Sequence, residues 1–177
     1  MAHIVWRLGW GKKSRLSRGK GNGAGMTQLS DIYNQRILEL SANIPAGERL
    51  ADADATATAH SKLCGSTVTV DLKMQGDRVA AYGQTVKACL LGQAAASVMG
   101  RNIVGSRAQE LREIGAAMRR MLKAGGEPPT GRWADLAVLE PVKDYKARHA
   151  STLLVFDAVE RALAEAEAKQ APAATQA

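Results

Sequence analysis

The spacing of hydrophobic side chains changes period several times along the 177 residues. From Thr27 to Leu40, the residues Leu29, Ile32, Tyr33, Ile37, Leu38 and Leu40 recur at helical intervals before Pro45 and Gly47 break the pattern, which predicts a first amphipathic helix. The period then falls to two. Ala55 to His60 has the length of a short strand. From Thr67 to Met74, Val68, Val70, Leu72 and Met74 alternate with Thr67, Thr69, Asp71 and Lys73. Successive side chains of a strand leave opposite faces, so this predicts one face in the core and the other in water. Gln75-Gly76-Asp77 is a turn signal, and Val79 to Val86 returns as the partner strand of a hairpin.

Helical spacing resumes after residue 89. Leu90 to Asn102 is dominated by small residues, Ala94 to Ser97 among them, and predicts a closely packed helix. Ala108, Leu111, Ile114, Gly115, Met118, Met121 and Leu122 form the next stripe, with Arg112, Glu113, Arg119 and Arg120 opposite; a methionine stripe of this kind reads as core. Gly125 to Pro129 stops that helix, and Trp133 to Leu139 leads into a last one, about Ser151 to Lys169. The resulting class is α+β, a small, mostly antiparallel three-stranded sheet packed against helices, and the length suits one core.

Charge changes the picture only at the start of the chain. Arg7, Lys12, Lys13, Arg15, Arg18 and Lys20 fall in the first 25 residues, which contain no acid; removing them from the net +7 leaves 7 − 6 = +1. Residues 1–25 therefore read as a basic disordered extension, 26–169 as the folded domain and 170–177 as a disordered tail. The basic balance does not define a nucleic-acid-binding domain, which argues against a nucleic-acid partner. No apolar run approaches the ~20 residues of a membrane span, so no membrane role is expected. Two cysteines without a clear secretory signal favour the cytoplasm.

The candidate chemistry lies at the two ends of the hairpin. Cys64, in Leu63-Cys64-Gly65-Ser66, and Cys89, in Lys87-Ala88-Cys89-Leu90, are the only thiols. A strand-turn-strand returns on itself, so the two should lie close together at one end of the sheet. A metal site, a sulfur-transfer site, a disulfide or two buried apolar residues all remain open on this pattern. Cys89 opens a predicted helix, where unpaired amides and the dipole favour thiolate and make it the candidate reactive sulfur. Two cysteines do not close a metal site, which usually takes four ligands. His149, just before the last helix, and His60, four residues before Cys64, are the imidazoles within sequence reach.

Three blocks carry a family resemblance: Leu63-Cys64-Gly65-Ser66 followed by a hairpin; Cys89 followed by Leu90 to Met99; and Leu139 to Ser151, which ends in Arg148-His149-Ala150-Ser151. Together they resemble the U-type iron-sulfur cluster scaffolds, the NifU N-terminal domain, IscU and SufU, and look closest to SufU. The resemblance covers about Met26 to Lys169 and implies a scaffold rather than an enzyme. It implies a transient iron-sulfur cluster of [2Fe-2S] type, with a cysteine desulfurase and cluster acceptor or carrier proteins as partners. Cys89 would accept the sulfur, and Cys64, Cys89 and His149 would ligate metal. Two positions depart from the family pattern. Ser66 stands where the family has an aspartate, and Ser151 stands at the third cysteine position, which is why His149 is needed as a substitute ligand. A homodimer offering Cys64 and Cys89 twice would make a four-thiolate set instead. A zinc-dependent sulfur carrier and a binding module without metal chemistry are the alternative readings.

Overall fold

The computed structural model describes residues 34–45 and 48–170. Helix α1 (Gln35–Ala42) is capped by the Asn34 side chain, whose Oδ1 accepts from the Ile37 amide at 3.0 Å. This satisfies one of the amides a helix start leaves open. Ile37 and Leu40 are buried as the stripe predicts, whereas Leu38 stays 47% exposed; Leu29, Ile32 and Tyr33 lie outside the described residues.

Strands β1 (Ala55–His60), β2 (Thr67–Gln75) and β3 (Arg78–Lys87) form one sheet in the order β1-β2-β3, with both pairings antiparallel. Gly76 and Asp77 make the two-residue turn between β2 and β3, with Gly76 at φ 63°, a conformation glycine adopts without steric cost. Val68, Val70 and Leu72 face the core. Asp71 departs from the expected wet face, being 0% exposed. The covering segment runs past the sheet at residues 48–50: the Asp71 carboxylate accepts from Arg49 Nη2 (3.0 Å), the Leu50 amide (3.1 Å) and Thr56 Oγ1 (2.6 Å). Gly83 permits that approach, since a Cβ there would meet Glu48 O at 2.5 Å.

The helices close the core. Helix α2 (Leu90–Asn102) buries Ala94 to Ser97, small side chains that let it pack closely against α1 and the last helix. Helix α3 (Ala108–Ala124) buries Leu111, Gly115, Met118, Met121 and Leu122 and ends at Gly125, φ 65°. A 3-10 segment (Gly131–Asp144) follows. It is pinned to α3 where Trp133 Nε1 donates to Glu110 Oε1 at 2.9 Å. Helix α4 (Lys146–Gln170) lies against β1, β2, α2 and α3. Its fully buried Phe156 is the chain's only phenylalanine, and burying a side chain of that size contributes about 1.5–3 kcal/mol. Helix α4 starts five residues before the expected Ser151, and this displacement reorients the site. No described helix is long and apolar enough to cross a membrane.

Candidate functional site

Cys64 enters the site on the connection 61–66 between β1 and β2. Two backbone bonds close this loop, Ser61 N to Ser66 O and Gly65 N to Ser61 O, each 2.9 Å. Gly65 sits at φ 68° to make the turn. At the same end of the sheet, Lys87 of β3 pairs with Thr67 of β2. The chain therefore leaves the sheet beside the Cys64 loop and two residues later reaches Cys89, the N-cap residue of α2. The hairpin brings both thiols to one end of the sheet, and both are free.

Helix α4 supplies the third part. Ser151 Oγ lies 3.4 Å from Cys89 Sγ, so the start of α4 joins the site at this sulfur. Gly92 makes this possible. A Cβ at that position would lie 2.8 Å from Ser151 O and 2.8 Å from Ala88 Cβ, so its absence lets the start of α2 close on α4.

Serines also surround Cys64 on its own loop: Ser66 Oγ is 3.0 Å and Ser61 Oγ 3.4 Å from Sγ. Hydroxyls that can donate to a thiolate favour it over the thiol. Ser61 and then Ser66 hold the Cys64 thiol below its usual range, outweighing the opposing effect of burial, with smaller help from the Ser66 backbone. The proton of Ser151 is already committed: its hydroxyl donates to Arg148 O at 3.0 Å. A hydroxyl carries one proton, so in this arrangement the Ser151 oxygen accepts from the Cys89 thiol.

His149 is not brought to the thiols. It lies within α4, 9% exposed, with Nε2 3.1 Å from both Val142 O and Lys143 O. The physical reason is the earlier start of α4. Residues two apart on a helix diverge by about 200°, so with Ser151 facing the sulfurs His149 faces the 3-10 segment instead. His60 is held by Thr67, with Nδ1 3.1 Å from Oγ1. Among the described residues, no group of three His, Cys, Asp or Glu side chains is placed to hold a metal ion, so the expected set Cys64, Cys89 and His149 is not assembled. Sequence reasoning missed Ser61, whose only signal was its place three residues before Cys64 in a turn. It read Ser66 and Ser151 as lost ligands, whereas they act here as hydrogen-bonding partners of the sulfurs.

Such an arrangement can hold thiolate at an exposed position and gather two sulfurs on one face. A NifU-like N-terminal domain from Brucella abortus is 57% identical, with a TM-score of 0.77, over 79% of this chain and 97% of that one. The chain therefore belongs to the NifU-like family, the U-type iron-sulfur cluster scaffolds. A curated relative, the iron-sulfur cluster assembly scaffold protein IscU of Thermotoga maritima, is 24% identical over 132 residues, 75% of this chain and 92% of that one. The SUF-system scaffold protein of Fervidobacterium islandicum AW-1 shares the fold, with a TM-score of 0.70 and 24% identity over 77% of this chain and 99% of that one. No protein-family model matches the chain.

Proposed function

We propose that the protein is a scaffold on which an iron-sulfur cluster is assembled and then passed to acceptor proteins, with sulfur supplied by a cysteine desulfurase. The observation that carries this reading is the placement of two free thiols, Cys64 and Cys89, at one end of the sheet, each with serine hydroxyls against its sulfur. The cluster is cargo. A site open on one side suits a group that must leave again, and the chain's part is stoichiometric rather than catalytic.

The exposure of Cys64 and the hydroxyls of Ser61 and Ser66 support Cys64, rather than the half-buried Cys89, as the thiol that first accepts sulfur. Its thiolate attacks the outer sulfur of the donor persulfide. A new S–S bond forms on Cys64, the donor's S–S bond breaks, and the electron pair leaves with the donor thiolate. Conversion of the held sulfur to sulfide takes two electrons from a separate reductant. Cys89, at the same end of the sheet, then joins Cys64 in binding iron, for which thiolate is a suitable ligand.

The test is anaerobic incubation of the full chain with a cysteine desulfurase, cysteine, a thiol reductant and iron, followed by metal and acid-labile sulfide analysis and absorption spectra. Iron with equal sulfide, lost in Cys64→Ala and in Cys89→Ala, is the expected result. Tightly held zinc without sulfide would replace the scaffold reading by that of a sulfur carrier. Mass spectrometry of the sulfur-loaded chain before iron is added should place the extra sulfur on Cys64.

A further inference from the structure

The sulfur that a persulfide carries is at the oxidation level of elemental sulfur, and sulfide lies two electrons lower. Two electrons therefore have to enter after sulfur reaches Cys64. Two cysteine sulfurs that join in a disulfide give up that number. Cys89 is the one other thiol in the chain, and both cysteines are free.

The hairpin register brings the two within reach. The β2-β3 ladder ends at Val68 with Val86 and then Thr67 with Lys87. The same count carried two places further sets Cys89 against Gly65, the residue beside Cys64. The backbone of Cys89 is still extended there, at φ −65° and ψ 167°. Facing Cα atoms of such a ladder lie about 4.5–5.5 Å apart, and a disulfide spans Cα separations up to about 7 Å. Cys64 is one residue from the facing position, on the turn closed between Ser61 and Ser66.

The two thiols also differ as the step requires. Cys64 is exposed, so a donor reaches it from solvent and the outer sulfur it delivers lies on the solvent side. Cys89 is half-buried, with its sulfur 3.4 Å from Ser151 Oγ of α4. Displacement at sulfur runs in line, with the attacking and leaving sulfurs on opposite sides of the one attacked, so access decides which sulfur is hit. From its more buried position Cys89 meets Sγ of Cys64 with the outer sulfur pointing away as the leaving group. We propose that Cys89 is the resolving thiol of the sulfur step: its thiolate attacks Sγ of the Cys64 persulfide and a Cys64–Cys89 disulfide forms. The bond to the outer sulfur breaks, and the electron pair leaves with that sulfur as hydrosulfide. The carried sulfur gains two electrons, each cysteine sulfur gives up one, and the Cys89 proton goes to solvent. A dithiol then reduces the protein disulfide by two successive exchanges, becoming a disulfide itself, and both thiolates are again available to iron. This inference rests on the scaffold reading and supplies the step between sulfur acceptance and iron binding; the separate reductant acts on the protein disulfide rather than on the persulfide.

The test loads the full chain anaerobically with a cysteine desulfurase and cysteine, without iron or added thiol, and then removes enzyme and cysteine. Free sulfide is followed over time, beside mass spectrometry of alkylated peptides. The expected result is sulfur on Cys64 first, then its loss as free sulfide and a Cys64–Cys89 linked peptide appear together, at a rate independent of protein concentration. Cys89→Ala and the near-isosteric Cys89→Ser, compared at the parent's thermal midpoint, should hold the persulfide on Cys64 and release no sulfide until dithiothreitol is added. That rescue separates a lost electron source from a damaged site. A persulfide that lasts as long in the parent as in Cys89→Ser would overturn the resolving role and leave the scaffold reading standing. So would sulfur that moves onto Cys89 with no sulfide freed, or a disulfide that joins two chains. A chain that takes up no sulfur from the desulfurase and forms no iron-sulfide species overturns both.

Discussion

At Cys64 the hydroxyls of Ser61 and Ser66 favour thiolate because they can donate to it, and alanine cannot. Ser66→Ala is therefore expected to raise the Cys64 thiol toward the ordinary value of about 8.5. Alkylation near neutral pH should slow, and its pH midpoint should move up. The measurement is the rate of iodoacetamide reaction against pH in a Cys89→Ala background, where Cys64 is the only thiol; an unchanged profile would remove the serines from the argument. Asp71 poses a different residue-scale question. Burial alone would raise its carboxyl, but Arg49, Thr56 and the Leu50 amide together hold it below the usual carboxylate value. A depressed carboxyl contributes stability above its unfolded value, near 3.9, and loses it as pH falls through the lower folded value. Asp71→Asn should cost about 1.5–3 kcal/mol at neutral pH, the range for a hydrogen bond to a charged group, and less in acid. Arg49→Ala should be the more damaging change, since it leaves the buried charge without its cation. Denaturant midpoints at pH 7 and pH 3 check both.

Between elements, the contact that shapes the site is the closure of α2 on α4 at Gly92. An alanine Cβ there would meet backbone at Ser151 O, 2.8 Å away, and backbone cannot swing aside as a side chain can. Gly92→Ala should cost about 1–3 kcal/mol by overpacking. It should also separate Cys89 from Ser151 and lower the iron retained per chain. Thermal melts read the first effect and iron analysis of the reconstituted variant the second; a variant with normal iron would show that the closure is not required. The sheet and α2 were legible from sequence, since alternation from Thr67 to Met74 and the small residues from Ala94 to Ser97 state their own burial. The start of α4 was not. Lys146 to Ala150 carries no apolar stripe, and the preceding 3-10 segment has neither helical nor strand period, with Pro141 inside it. The misplacement of His149 follows directly, because its direction depends on whether residue 149 is loop or helix. Asp71 was missed for another reason: the segment at 48–50 that covers it lies some twenty residues away in sequence, and no local pattern reports it.

Across the whole molecule, core and charge are carried by different parts of the chain. Every buried hydrophobic residue of the described structure falls between Ile37 and Ala166, whereas six of the seven net positive charges fall in residues 1–25. Deletion of residues 1–25 is accordingly expected to leave the thermal midpoint and the iron and sulfide taken up per chain unchanged. What should change is retention by a polyanion. Each phosphate or sulfate contact made by a cation releases counterions, and for duplex DNA the logarithm of the binding constant falls with the logarithm of salt at about 0.9 per contact. Losing up to six such contacts should weaken binding to duplex DNA or heparin steeply at low salt and flatten its salt dependence. Lys62, Lys87 and Arg148, each within three residues of Cys64, Cys89 or Ser151, remain in the shortened chain, so any affinity that survives should respond to Lys62→Glu. A fall in midpoint or in cluster yield on deletion would instead place part of the fold or of the site in the first 25 residues, and the division of the chain at Met26 would have to be redrawn.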